Sequence, residues 1–137
     1  MFEVVYYSLT GNTKRVAEAI AAELDVDAES VQSKSTLADE SCVFLGAGLY
    51  GPLRSWGLRR FIDRNTFDGR KVALFGTSGE GKGKEVGALE EAVTAKGAEI
   101  AGKFYCKGKF LFFVNPRHPS SEDLEMARAF ARDIGRG

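Results

Sequence analysis

The stretch Val4-Val5-Tyr6-Tyr7-Ser8-Leu9-Thr10-Gly11-Asn12-Thr13 decides the fold, because it passes from strand to helix through a loop too polar to be only a turn. Val4 to Tyr7 is a β-branched and aromatic run of strand character. Beyond Thr13, the residues Val16, Ala17, Ile20, Ala21 and Leu24 recur at helical spacing. Between the two, Ser8, Thr10 and Thr13 place three hydroxyls, and Asn12 one amide, around Gly11. Capping the helix would need only one of them. A helix start carries backbone N–H groups without helical acceptors and the positive end of a dipole, so the crowd of donors reads as a phosphate cradle. Gly11 lets the backbone come close to phosphate oxygens that a Cβ would hold off.

Outward from this loop the strand-to-helix rhythm repeats. Cys42 to Leu45 and Val72 to Phe75 are apolar throughout, as in central strands covered on both faces. Leu53 to Asp63 carries Leu53, Trp56, Phe61 and Ile62 in a helical stripe, with Trp56 expected in the core, and Asp68-Gly69 supplies the next turn. Glu85 to Lys96 has Val86, Leu89 and Val93 on one face and Gly97 as its stop. Leu124, Ala127, Ala131 and Ile134 mark a last helix, entered through Ser120 or Ser121, with Glu122 and Asp123 favouring its dipole. A second strand is expected near Ala28 to Val31, a fifth near Glu99 to Cys106, and an extra extended segment at Phe110 to Val114. The pattern predicts one domain over residues 1–137, an α/β fold with a doubly wound sheet that binds its ligand outside the strand carboxyl ends, at the topological switch point.

Composition narrows the function. A chain of 137 residues with 44% hydrophobic content can build a core without disulfides or structural metal. Its 19 basic residues balance 19 acidic ones, so charge favours neither nucleic acid nor an anionic membrane as partner. Cys42, Cys106 and the single His118 form no zinc pattern. Phe2 to Tyr7 is too short for a signal segment or a membrane span. These features point to a reduced, cytoplasmic protein, expected to be a monomer.

Two glycine-rich stretches invite other readings. Gly46-Ala47-Gly48-Leu49-Tyr50-Gly51 matches a dinucleotide fingerprint, but Pro52 follows at once, the strand is not the first, and no acidic residue ends the next strand. Gly76 to Gly83 approaches a phosphate-binding P-loop, yet Gly83 stands where a metal-holding Ser or Thr belongs, and Gly81, Gly83 and Gly87 disfavour a helix starting at Lys82.

Ser8-Leu9-Thr10-Gly11-Asn12-Thr13 resembles the phosphate loop of flavodoxins, S/T-x-T-G-N-T, and Lys71 to Gly76 followed by Thr77-Ser78-Gly79-Glu80-Gly81 resembles that family's fourth strand and flavin loop. The resemblance runs from end to end and implies a three-layer αβα sandwich around a five-stranded parallel sheet of order 2-1-3-4-5. It implies FMN as cofactor, with Ser8 to Thr13 at the phosphate, Gly48, Leu49, Tyr50 and Gly51 beside the ring, and Thr77, Ser78 and Gly79 closing the other side. The function it implies is an electron carrier between a reductase and an acceptor protein, with the cofactor doing the chemistry. Alternatives are an FMN-dependent NAD(P)H or quinone reductase and a flavodoxin-fold interaction module that has lost FMN.

The chain departs from the family at two points. Pro52 removes the amide hydrogen after Gly51, so that peptide offers the ring an acceptor and no donor. The usual aromatic and acidic residues of the flavin loop are replaced by Ser78, Glu80 and Lys82, which softens both ring stacking and negative field. Cys106 in Cys106-Lys107-Gly108-Lys109 is expected to be an inert, half-buried thiol, although lysines approaching it would lower its pKa. His118, between Pro116 and Pro119 with one residue intervening on the first side, reads as part of a surface turn.

Overall fold

The apolar runs of the sequence pair side by side in the computed structural model, which describes residues 1–8, 11–34, 36–39, 41–48, 56–78, 84–107 and 119–136. In chain order the elements are β1 (Phe2–Tyr7), α1 (Asn12–Leu24), β2 (Ala28–Ser30), β3 (Cys42–Gly48), α2 (Trp56–Arg64), β4 (Lys71–Ser78), α3 (Lys84–Thr94), β5 (Glu99–Lys107) and α4 (Ser121–Arg136). The strands form one five-stranded sheet in the order β2-β1-β3-β4-β5. Every neighbouring pair is parallel. From β1 the chain steps to β2 on one side and then to β3 on the other, so the direction of winding reverses between β1 and β3. That is the topological switch point.

Adjacent strand residues point to opposite faces, and here both faces are apolar. Val5, Leu45 and Leu74 pack with Leu58, Phe61 and Ile62 of α2 and Val86, Leu89 and Val93 of α3. Val4, Phe44 and Phe75 pack with Val16, Ala17 and Ile20 of α1 and Ala127 and Ala131 of α4. The uninterrupted hydrophobicity of the central strands is therefore the imprint of two helical layers.

The helix ends have local causes. Ser120 Oγ accepts from the Asp123 N–H at 3.1 Å while Asp123 Oδ2 accepts from the Ser120 N–H at 2.9 Å, a reciprocal box that makes Ser120 the cap of α4. At the end of α2, the Lys96 ammonium donates to the carbonyls of Ile62, Asp63 and Asn65 at 2.6, 2.8 and 2.7 Å. A cation at the negative end of a helix is favourable.

The amino end of the sheet is pinned by polar contacts. Lys34 Nζ lies 2.7 Å from Glu3 Oε1, and Glu3 Oε2 accepts from the Ala38 N–H at 3.1 Å and from the Ser41 hydroxyl. Burial pulls the Glu3 carboxyl upward, but Lys34, Ser41 and Ala38 together outweigh it and hold the group below its ordinary range. Arg70 Nη1 donates to the carbonyls of Ala38 and Ser41 at 3.0 Å each. No helix among the described residues is long and apolar enough to cross a membrane.

Candidate functional site

The opposite, carboxyl end of the sheet collects the loops singled out in the sequence. Strand register aligns Tyr7 with Ala47 and Ala47 with Gly76, and in the next row Gly48 with Thr77 and Thr77 with Cys106. The loops that leave β1, β3 and β4 therefore depart at one level, and the first two straddle the switch point.

Ser8 follows β1 directly, and its Oγ accepts from the Gly11 N–H at 2.9 Å. Gly11 caps α1 with φ +90°, and a Cβ built there would meet no atom of the described residues within 4 Å. An L side chain would be strained in that left-handed conformation, so among the described residues the need for glycine is conformational. Among the described residues no side chain caps α1, and its first turn holds no acidic residue. The first intrahelical bond runs from the Arg15 N–H to the Gly11 carbonyl at 3.0 Å, which leaves the N–H groups of the opening turn without helical acceptors. A polar, open, glycine-led helix start fits an anion of phosphate type.

Thr13 is used differently from its neighbours. It is 0% exposed, and its Oγ1 lies 2.8 Å from Thr77 Oγ1, itself on a residue 3% exposed; either hydroxyl can donate. The first turn of α1 is thus tied to the end of β4 across the sheet face. Gly48 closes β3 and Ser78 closes β4. Of the predicted site, Ser8, Gly11, Asn12, Thr13, Gly48, Thr77 and the backbone of Ser78 are brought to this end, while Leu9, Thr10, Leu49, Tyr50, Gly51 and Gly79 lie outside the described residues, as do His118 and Phe110 to Val114.

Both glycine-rich stretches acquire structural explanations. Gly46 lies within β3, and a Cβ there would fall 2.1 Å from Cε2 of Phe75 on β4, so this glycine makes room for a core ring. Gly76 lies within β4, where a Cβ would fall 2.4 Å from Cγ of Glu85. The strand continues to Ser78, and α3 begins at Lys84 rather than at Lys82.

Sequence reading did not single out Glu85. It stands in the first turn of α3 and is 4% exposed. Neither carboxyl oxygen has a hydrogen-bond partner among the described residues. Burial pushes its pKa up, and the proximity of its own backbone N–H, which makes no hydrogen bond to the carboxyl by geometry, offsets this in part. An acid at a helix start reads as a dipole partner, and nothing in the neighbouring letters signals that it folds inward onto a glycine.

Cys106 is 8% exposed rather than half-buried. Burial, with the carboxyls of Asp123 and Glu85, pushes its thiol up to about 12 against the lowering influence of Arg15. Desolvation and two acids act on the sulfur, which accords with the inert thiol expected, while Lys109 and the side chain of Lys107 lie outside the described residues. At neutral pH it is an un-ionised core thiol.

The family comparison agrees with this geometry. Residues 3–114 match the flavodoxin domain model. An uncharacterized protein of Methanocaldococcus jannaschii is 28% identical over 134 residues, covering 90% of this chain and 89% of that protein. A flavodoxin of Clostridium beijerinckii is 33% identical over 109 residues, covering 72% of this chain and 79% of its own. The crystal structure of oxidised flavodoxin 2 from Bacillus cereus superposes with a TM-score of 0.73 at 23% identity, over 98% of this chain and 97% of that one, which speaks to the fold. With the 2-1-3-4-5 sheet, the open start of α1 and the domain match together, the chain belongs to the flavodoxin family, whose members use a flavin cofactor.

Proposed function

We propose that the chain binds FMN at the carboxyl end of its sheet and carries electrons between a reductase and an acceptor protein. The observation that carries this reading is the start of α1: a glycine cap at φ +90° with, among the described residues, no side-chain cap and no atom near a built Cβ. In this reading the phosphate rests on the opening turn, held by Ser8, Leu9, Thr10, Gly11, Asn12 and Thr13. The Thr13 side chain is enclosed with its hydroxyl turned to Thr77, so any contribution of Thr13 is through its backbone. Gly48, Leu49, Tyr50 and Gly51 flank one side of the ring, and backbone groups of Thr77, Ser78 and Gly79 line the other, the Thr77 side chain being turned to Thr13.

The bound flavin supplies one- and two-electron chemistry, and the protein supplies position and field. At Gly51-Pro52 the chain offers the ring an acceptor carbonyl and no donor, because proline lacks the N–H. Lys82 and Lys84 lie on either side of Gly83, and their charge would lessen the repulsion that an acidic loop exerts on added electrons. The partners fit a surface without net charge, unlike a strongly acidic one, and the carrier is read as a monomer. Two free thiols, Cys42 and Cys106, accord with a reducing, cytoplasmic setting.

The test is to titrate apoprotein with FMN and with riboflavin while following thermal melting and the visible spectrum. FMN should raise the melting temperature at concentrations where riboflavin does little, since only the folded state holds the phosphate. Equal effects of the two ligands, or none from either, would overturn the proposal.

A further inference from the structure

Thr13 and Thr77 are 64 positions apart in the chain, yet their hydroxyls meet at 2.8 Å with both residues enclosed. One belongs to the first turn of α1, beside the open helix start, and the other to the penultimate residue of β4, in register with Gly48. The rest of α1 meets the sheet through Val16, Ala17 and Ile20, whose apolar contacts resist separation but are not directional. A hydrogen bond is directional, and each buried hydroxyl would be left unsatisfied without the other. The bond therefore fixes where the helix start sits relative to the end of β4.

We propose that Thr77 is a positioning residue that sets, through Thr13, the spacing between the anion-binding start of α1 and the end of β4. This rests on the FMN reading. A ligand that joins a phosphate to a ring through a chain must satisfy both places at once, and its advantage over its two halves depends on that spacing. Riboflavin senses the ring side alone, and inorganic phosphate senses the helix start alone. Each half can follow its own element if the tie is cut; FMN cannot.

The experiment compares wild type, Thr77→Val and Thr77→Ser as apoproteins, each titrated with FMN, riboflavin and inorganic phosphate. Thr77→Val should weaken FMN binding roughly ten-fold, as expected for a lost buried hydrogen bond. Riboflavin and phosphate should change by no more than about two-fold. Thr77→Ser, which keeps the hydroxyl, should restore FMN binding to within about three-fold of wild type. Thr13→Val cuts the same bond from the helix and should give the same split, and the double variant should be no worse than either single one. It also serves where Thr77→Val fails to fold. Unchanged FMN affinity in the valine variants, or an equal loss for FMN and riboflavin, overturns the positioning role. A wild-type protein that does not distinguish FMN from riboflavin overturns the FMN reading itself, and the two failures are separate.

Discussion

Glu85→Met should make the apoprotein more stable, and increasingly so as pH rises. The carboxyl is 4% exposed with neither oxygen hydrogen-bonded among the described residues, and its Cγ lies against the backbone of Gly76. Leaving a buried polar group unsatisfied costs about 1–3 kcal/mol. Against this, an ionised acid in the first turn of a helix gains about 0.3–1 kcal/mol from the dipole. Burial wins, in agreement with the raised pKa. Methionine has similar length and no group to satisfy, so the net gain near pH 7 is about 1–2 kcal/mol, or roughly 3–8 °C in melting temperature. The pH dependence has a definite sign. Below 4.5, the group's ordinary value, the carboxyl is protonated in both states and its ionisation contributes nothing. As pH rises, the unfolded chain ionises first while the folded one keeps its proton, so wild-type stability falls, by at most about 1.4 kcal/mol per pH unit, until the folded carboxyl also ionises. Urea unfolding of the apoprotein from pH 4 to 8 measures both effects. Glu85→Gln separates them, because it removes the pH slope but keeps a buried polar group. A methionine variant less stable than wild type at pH 8, or a wild-type slope that survives in both variants, would refute the reasoning.

Two further outcomes follow from the packing. Gly46→Ala should destabilise by about 1–3 kcal/mol, because the new methyl would fall 2.1 Å from the ring of the fully buried Phe75, and a lowered urea midpoint checks it. In a Cys42→Ala background, the native protein should resist a thiol reagent at pH 8 and react within the time of unfolding when urea is added, since Cys106 is enclosed and its thiol stands at about 12; rapid labelling of the folded state would contradict this.

What the sequence made legible were the features that act locally or by periodicity. The apolar runs ending at Leu45 and Phe75 announced doubly covered strands, and the helical stripes of Val16 to Leu24 and Leu124 to Ile134 announced the layer that covers one face. Gly11 was legible because a loop of small polar residues before a helix has few other uses, and its φ of +90° is what such a position demands. What escaped were relations between distant residues. Thr13 looked like one more donor for the anion, and the family resemblance put Thr77 beside the flavin; their bond is set by the register of β4 against the helical layer, which no single window contains. Glycines 46 and 76 fall in stretches that match nucleotide-loop patterns, readings their context excluded, and a glycine signals only that a Cβ is unwelcome, not what excludes it. At 46 the excluding group is the ring of Phe75, one face of the sheet's own core. At 76 it is the side chain of Glu85, entering from α3. The same missing Cβ thus has a hydrophobic cause in one strand and a buried acid in the next. The second case places a titrating group one residue from the hydroxyl that anchors α1, so a disturbance of Glu85 and a disturbance of the Thr13 to Thr77 bond should be felt at the same end of β4.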